Sequence, residues 1–83
     1  MHRILLRKKA RKELSKITFP FRFRILSALV RLRNNPYLGE ALKGNHKGQY
    51  SMHVHPYRII YEIYKKEIII YIITIRHRKD VYR

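Results

Sequence analysis

His53, Arg58 and Arg76 are the side chains of this chain best suited to work on a phosphodiester. An imidazole accepts or gives a proton near neutral pH. A guanidinium stays charged, and its fork matches two phosphate oxygens. If all three face one side of a sheet, they form a basic concavity without carboxylates, a site for the phosphate of a nucleic acid. Other chemistries are poorly supplied. There is no Cys, which removes disulfide frameworks and thiolate zinc sites. Gly39, Gly44 and Gly48 do not form a phosphate-binding loop. Glu13, Glu40, Glu62, Glu67 and Asp80 are scattered, which argues against a nuclease that clamps two metals. Neither metal nor cofactor is expected.

The composition points the same way. The chain has 83 residues, Lys plus Arg 20 and Asp plus Glu 5, a formal net charge of +15. It is also 46% hydrophobic, too much for a disordered basic tail. The expectation is a single folded domain over residues 1–83 whose partner, by charge alone, is RNA, DNA, an acidic protein or an anionic membrane. The apolar run at residues 68–75 falls far short of the roughly 20 residues a membrane helix needs. No signal-peptide core precedes the charged N-terminal run, so a cytoplasmic protein without a membrane partner is expected.

The elements that would carry these residues can be read from periodicity. Residues 2–6 form a short apolar strand. Residues 8–17 form a helix with Ala10, Leu14 and Ile17 on one stripe. A second helix runs from Pro20 to about Arg33, with Ile25, Leu26, Leu29, Val30 and Leu32 on a broad apolar face. Asn34-Asn35-Pro36 ends it, and residues 37–48 read as loop. Residues 49–55 alternate, residues 57–64 form the next strand, and residues 68–75 the last, after a turn at Lys65-Lys66-Glu67. The order is β-α-α-β-β-β, an α+β fold in which a helical hairpin covers one face of a small, mainly antiparallel sheet.

Alternation then assigns faces. Tyr50, Met52 and Val54 suit the core, which turns Ser51, His53 and His55 outward. Tyr57, Ile59, Tyr61 and Ile63 suit the core, which turns Arg58 outward. In the last strand an unbroken pleat groups Arg76 with Ile70, Ile72 and Thr74, and periodicity leaves open which side that is, because both faces are apolar.

Three local motifs carry a resemblance. They are Tyr57-Arg58-Ile59-Ile60-Tyr61, the terminal Arg76-His77-Arg78-Lys79-Asp80-Val81-Tyr82, and Leu42-Lys43-Gly44 ahead of Tyr50. Together, with the element order, they resemble the RelE/ParE toxin superfamily over essentially the whole chain. The resemblance implies a toxin of a type II toxin–antitoxin system, held silent by an acidic antitoxin in a hetero-oligomer. RelE-like members cut mRNA in the ribosomal A site without a metal, while ParE-like members poison DNA gyrase. For a RelE-like nuclease it implies Arg58 on the reacting phosphate, Arg76 as phosphate ligand and proton donor, and Tyr82 stacked on a base. The chain departs from the family's two lysines at Tyr50-Ser51-Met52-His53, where Ser51 and His53 stand in their places.

Metal-free RNA cleavage needs a base for the 2′-OH proton, cations for the phosphoryl oxygens and an acid for the leaving 5′-oxygen; DNA lacks the 2′-OH. His53 is the best base by chemistry, with His55 one pleat further on. Arg58 and Arg76 are the cations, and His77 is a better acid than an arginine, although its place in the strand points it to the other face. Lys43, Lys47, Arg78 and Ser51 complete the expected RNA contacts. Each has a plainer reading: an exposed strand His, an Arg58–Glu62 surface pair, a His77 packed under the C-terminus, a Tyr82 pinning the tail. The leading reading is a ribosome-dependent mRNA endoribonuclease, with ribosomal RNA, mRNA and the antitoxin as partners. The rivals are a gyrase inhibitor and a non-catalytic RNA-binding module.

Overall fold

The computed structural model describes residues 1–82, with side chains through Asp80. The elements are β1 (Arg3–Leu6), α1 (Lys8–Ser15), α2 (Phe21–Asn34), β2 (Glu40–Ala41), β3 (Gln49–Val54), β4 (Tyr57–Tyr64) and β5 (Ile69–His77). Short 3-10 turns cover Gly44–His46 and Arg78–Tyr82. The five-stranded sheet has the order β1-β5-β4-β3-β2. Among the described residues only the β1–β5 pair is parallel; the other pairs are antiparallel. This is the expected α+β architecture, with β2 added.

The two helices pack on one sheet face. Ala10, Leu14 and Ile17 are buried, as their spacing predicts, beside Ile25, Ala28, Leu29 and Leu32 of α2 and Met52, Ile59, Tyr61, Ile70, Ile72 and Ile75 of the sheet. Burial of such side chains supplies about 1.5–3 kcal/mol each before the entropic cost. The broad apolar face of α2 is narrower than expected. Leu26 is 42% and Val30 55% exposed, in line with exposed Phe19 and Phe23, while the small Ala28 faces inward.

The loop expected at residues 37–48 is partly ordered into the sheet edge. Tyr61 fixes it: its buried hydroxyl donates to the Pro36 carbonyl at 2.8 Å and accepts the Gly39 N–H at 2.9 Å. A Cβ on Gly39 would stand 2.7 Å from the Tyr61 hydroxyl and 2.8 Å from the Ser51 carbonyl, so only glycine fits. The chain then pairs Glu40 with Ser51 and Ala41 with Tyr50. The last strand begins at Ile69 and not at Ile68, which sits in the hairpin turn with φ 57°. It continues past Ile75 to His77.

A β-bulge resolves the facing of β5. Ile60 pairs with Thr74, but Tyr61 pairs with Ile72, so Ile73 has no cross-strand partner. The extra residue breaks the pleat. Ile70 and Ile72 face the helices, whereas Thr74 and Arg76 share the face of Ile60 and Arg58. The grouping of Arg76 with Ile70 and Ile72 is therefore corrected.

Candidate active site

Cross-strand register builds the site. His53 of β3 lies opposite Arg58 of β4, and Arg58 lies opposite Arg76 of β5. One row across adjacent strands thus carries an imidazole and two guanidiniums, all exposed on the face away from the helices. Directly opposed residues hold their Cβ atoms about 4.5–5.5 Å apart, within the span of one phosphodiester and its flanking sugar. The next row is Ser51, Ile60 and Thr74, a small floor of two hydroxyl side chains on either side of an isoleucine. Ser51 is 9% exposed and sits under the row rather than at its rim.

Two adjoining hollows flank Arg58. The first, about 440 Å³, brings together Arg58, Arg76, Ser51, Lys9 of α1 and His46 of the 3-10 turn. The second, about 400 Å³, brings together Arg58, Ser51, His53, Arg31 of α2 and Glu40 of β2. Arg58 and Ser51 border both, so Arg58 stands between them. The cations outnumber the single carboxylate, which suits a polyanion. Glu62, the alternative partner of Arg58, is engaged elsewhere: it accepts from Gln49 Nε2 at 3.4 Å and from the Tyr64 hydroxyl at 3.2 Å.

Other expected residues are not brought in. His77 pairs with Tyr57 on the opposite face, edge-on to its ring at 5.2 Å, and its Nδ1 accepts the Lys79 N–H at 3.1 Å. It packs against Tyr57 and lines neither hollow. Lys43, Lys47 and Arg78 are exposed but stand outside both hollows. The Tyr82 side chain lies outside the described residues. His55 stays exposed beside His53, ring centroids 6.0 Å apart.

Sequence reasoning missed His46 and Lys9. His46 lies in a loop without periodicity, and its approach to the groove depends on β2 joining the sheet. Lys9 was one of several basic residues on α1, and only the packing of that helix at the end of β1 singles it out. Among the described residues, no three His, Asp or Glu side chains gather where they could hold a metal ion, and no helix is long and apolar enough to cross a membrane.

Comparison with known proteins agrees with this architecture. The isolated Escherichia coli RelE toxin superposes with a TM-score of 0.83 at 21% identity, covering 99% of this chain and 92% of that one. The RelBE2 toxin–antitoxin complex of Mycobacterium tuberculosis gives 0.76 at 26% identity, covering 93% and 98%. The RelB–RelE antitoxin–toxin complex of Methanococcus jannaschii gives 0.75 at 28% identity, covering 94% of each chain. No curated protein matches the chain. The family model that matches, over residues 4–82, is that of the ParE toxin of the type II toxin–antitoxin system, parDE. With nearly the whole chain matched, the protein belongs to this toxin family, within the RelE/ParE superfamily.

Proposed function

We propose that this type II toxin is a ribosome-dependent mRNA endoribonuclease that cuts by attack of a 2′-hydroxyl. The observation that supports the reading is the single row of His53, Arg58 and Arg76 on the open face. In the proposed reaction His53 takes the proton from O2′, O2′ bonds to the adjacent phosphorus, and the P–O5′ bond breaks. Arg58, at the centre of the row, stabilises the negative charge that builds on the non-bridging oxygens. Arg76 steadies the leaving O5′, which takes a proton from water. The ends are a 2′,3′-cyclic phosphate and a 5′-hydroxyl. Ser51 shapes the floor and has no part in proton transfer.

The exposed row does little by itself to orient RNA. Holding the nucleotide in line is a large part of any such rate, and the ribosome is the proposed source of that orientation. The net charge of +15 suits docking on ribosomal RNA and equally suits an acidic antitoxin. An antitoxin partner is further supported by the antitoxin complexes formed by the similar toxins of M. tuberculosis and M. jannaschii.

A second reading, inhibition of DNA gyrase without chemistry, is favoured by the ParE model match and by Ser51 and His53 in the places of lysines. Primer extension on a defined mRNA, with and without programmed ribosomes, separates the two. Cuts that need the ribosome and vanish in Arg58→Ala are expected. Intact mRNA, with gyrase-dependent DNA breaks instead, would overturn the nuclease reading.

A further inference from the structure

The residues just ahead of Arg76 are bonded by a carboxylate far away in sequence. β1 pairs with β5 only as far as Leu6 and Ile72, and the Arg7 N–H makes the last bond to the Ile72 carbonyl at 2.9 Å. The chain then turns into α1, while β5 runs on to His77. Among the described residues, the outer edge of β5 beyond Ile72 is thus left without a strand partner. The bulge at Ile73 falls just there.

Glu13 fills the gap. From α1 its Oε1 accepts the Ile75 N–H at 2.9 Å and the Thr74 hydroxyl at 2.8 Å, and its Oε2 lies 3.0 Å from the same hydroxyl. A side-chain carboxylate therefore stands where a neighbouring strand would offer its carbonyl, and it grips the residues between the bulge and Arg76. Such charge-assisted bonds are stronger than the backbone bond they replace. Without the bulge, Arg76 would fall opposite Tyr57 and turn towards the helices, because a one-residue slip exchanges the faces of a strand. Glu13 is set among Lys8, Lys9, Arg11, Lys12 and Lys16, so its negative charge on this helix stands out against its surroundings.

We infer that Glu13 is a positioning residue for Arg76: its bonds to Thr74 and Ile75 hold the bulge in the register that puts Arg76 beside Arg58. The inference rests on the proposed role of that arginine pair in gripping phosphate. Its consequence is coupling. Removing Glu13 harms function only through Arg76, so the two losses do not add.

The test compares Glu13→Ala, Arg76→Ala and the double variant, with Glu13→Gln as the conservative rescue, because its amide oxygen still accepts the Ile75 N–H. One readout is single-turnover cleavage on programmed ribosomes. The other is inorganic phosphate titrated against the free protein, followed by NMR at the arginine side chains. Glu13→Ala is expected to lower the cleavage rate by up to about 100-fold with little change in KM, to weaken phosphate binding, and to add nothing in the Arg76→Ala background. Glu13→Gln is expected to restore most of both. Additive losses, or loss in KM alone, would overturn the inference. If Glu13→Ala fails to fold, Thr74→Val, which removes one donor and keeps the Ile75 bond, carries the same cycle. If the wild type cuts no RNA, the nuclease reading falls, and the phosphate cycle still decides whether Glu13 positions Arg76.

Discussion

Arg58 and Arg76 stand directly opposite each other on β4 and β5, with both side chains on the open face. Like charges in that relation are destabilising, here softened by exposure to water and salt. The pair makes sense as a grip on something anionic. Arg76→Gln is therefore expected to raise stability slightly, by a few tenths of a kcal/mol. Millimolar phosphate is expected to raise the Tm of the wild type more than that of Arg76→Gln, because a ligand that binds the folded state stabilises it. Thermal melts with and without phosphate check both; an equal phosphate gain in the two proteins would refute the grip.

His53 is the base of the proposed reaction, and His46 is the other imidazole that lines a hollow beside Arg58. His53 shares a row with Arg58, whereas His46 reaches the neighbouring hollow from the 3-10 turn. His53→Ala is expected to slow ribosome-dependent cleavage by about 10²–10⁴, the usual yield of a positioned general base. His46→Ala is expected to change KM and leave the chemical step within a few-fold. Single-turnover rates at saturating ribosomes separate them, and the reverse ranking would move the base to the turn.

The parts of this fold that obey a period were legible in the sequence. The α1 stripe of Ala10, Leu14 and Ile17 repeats at helical spacing, and β4 alternates so cleanly that Arg58 could be placed on the open face. Arg76 could not, because β5 is apolar on both sides and its parity breaks at Ile73. What holds that bulge is Glu13, whose partner Thr74 is 61 residues away, and no local pattern encodes such a bond. β2 has only two residues, too short for alternation, so His46 stayed hidden with it. On α2, Leu26 and Val30 are as apolar as Ile25 and Leu29, and composition alone does not say which side of a helix remains uncovered.

Ile68 is a β-branched residue at φ 57°, in the turn between β4 and β5, and 50% exposed. The left-handed region costs an ordinary residue roughly 1–2 kcal/mol, and little packing offsets it here. Its backbone is well used, since its carbonyl accepts the Arg3 N–H at 3.0 Å. Ile68→Gly or Ile68→Asn is therefore expected to raise stability by about 1 kcal/mol without touching cleavage. Urea denaturation reads this directly; a loss of stability would mean that the exposed part of Ile68 packs better than its surroundings suggest.

Tyr61 offers a pH test of the clamp that places β2. Burial pushes its phenol above the usual tyrosine value, the nearby Tyr50 adds to the rise, and the Gly39 N–H opposes it. The sign follows from linkage. Because the folded value lies above the unfolded one of about 10, the unfolded chain gives up this proton first as pH rises. Tyr61 thus contributes fully below about pH 10 and loses its contribution as pH climbs through the folded value. Tyr61→Phe leaves the Pro36 carbonyl and the Gly39 N–H without their partner, at a cost of about 1–3 kcal/mol near neutral pH. The variant should also lose stability less steeply than the wild type above pH 10. All other side chains are the same in both proteins, so the difference between the two curves isolates the phenol. Denaturation at pH 8 and at pH 11 measures it, and parallel curves would show that the clamp does not depend on a neutral Tyr61.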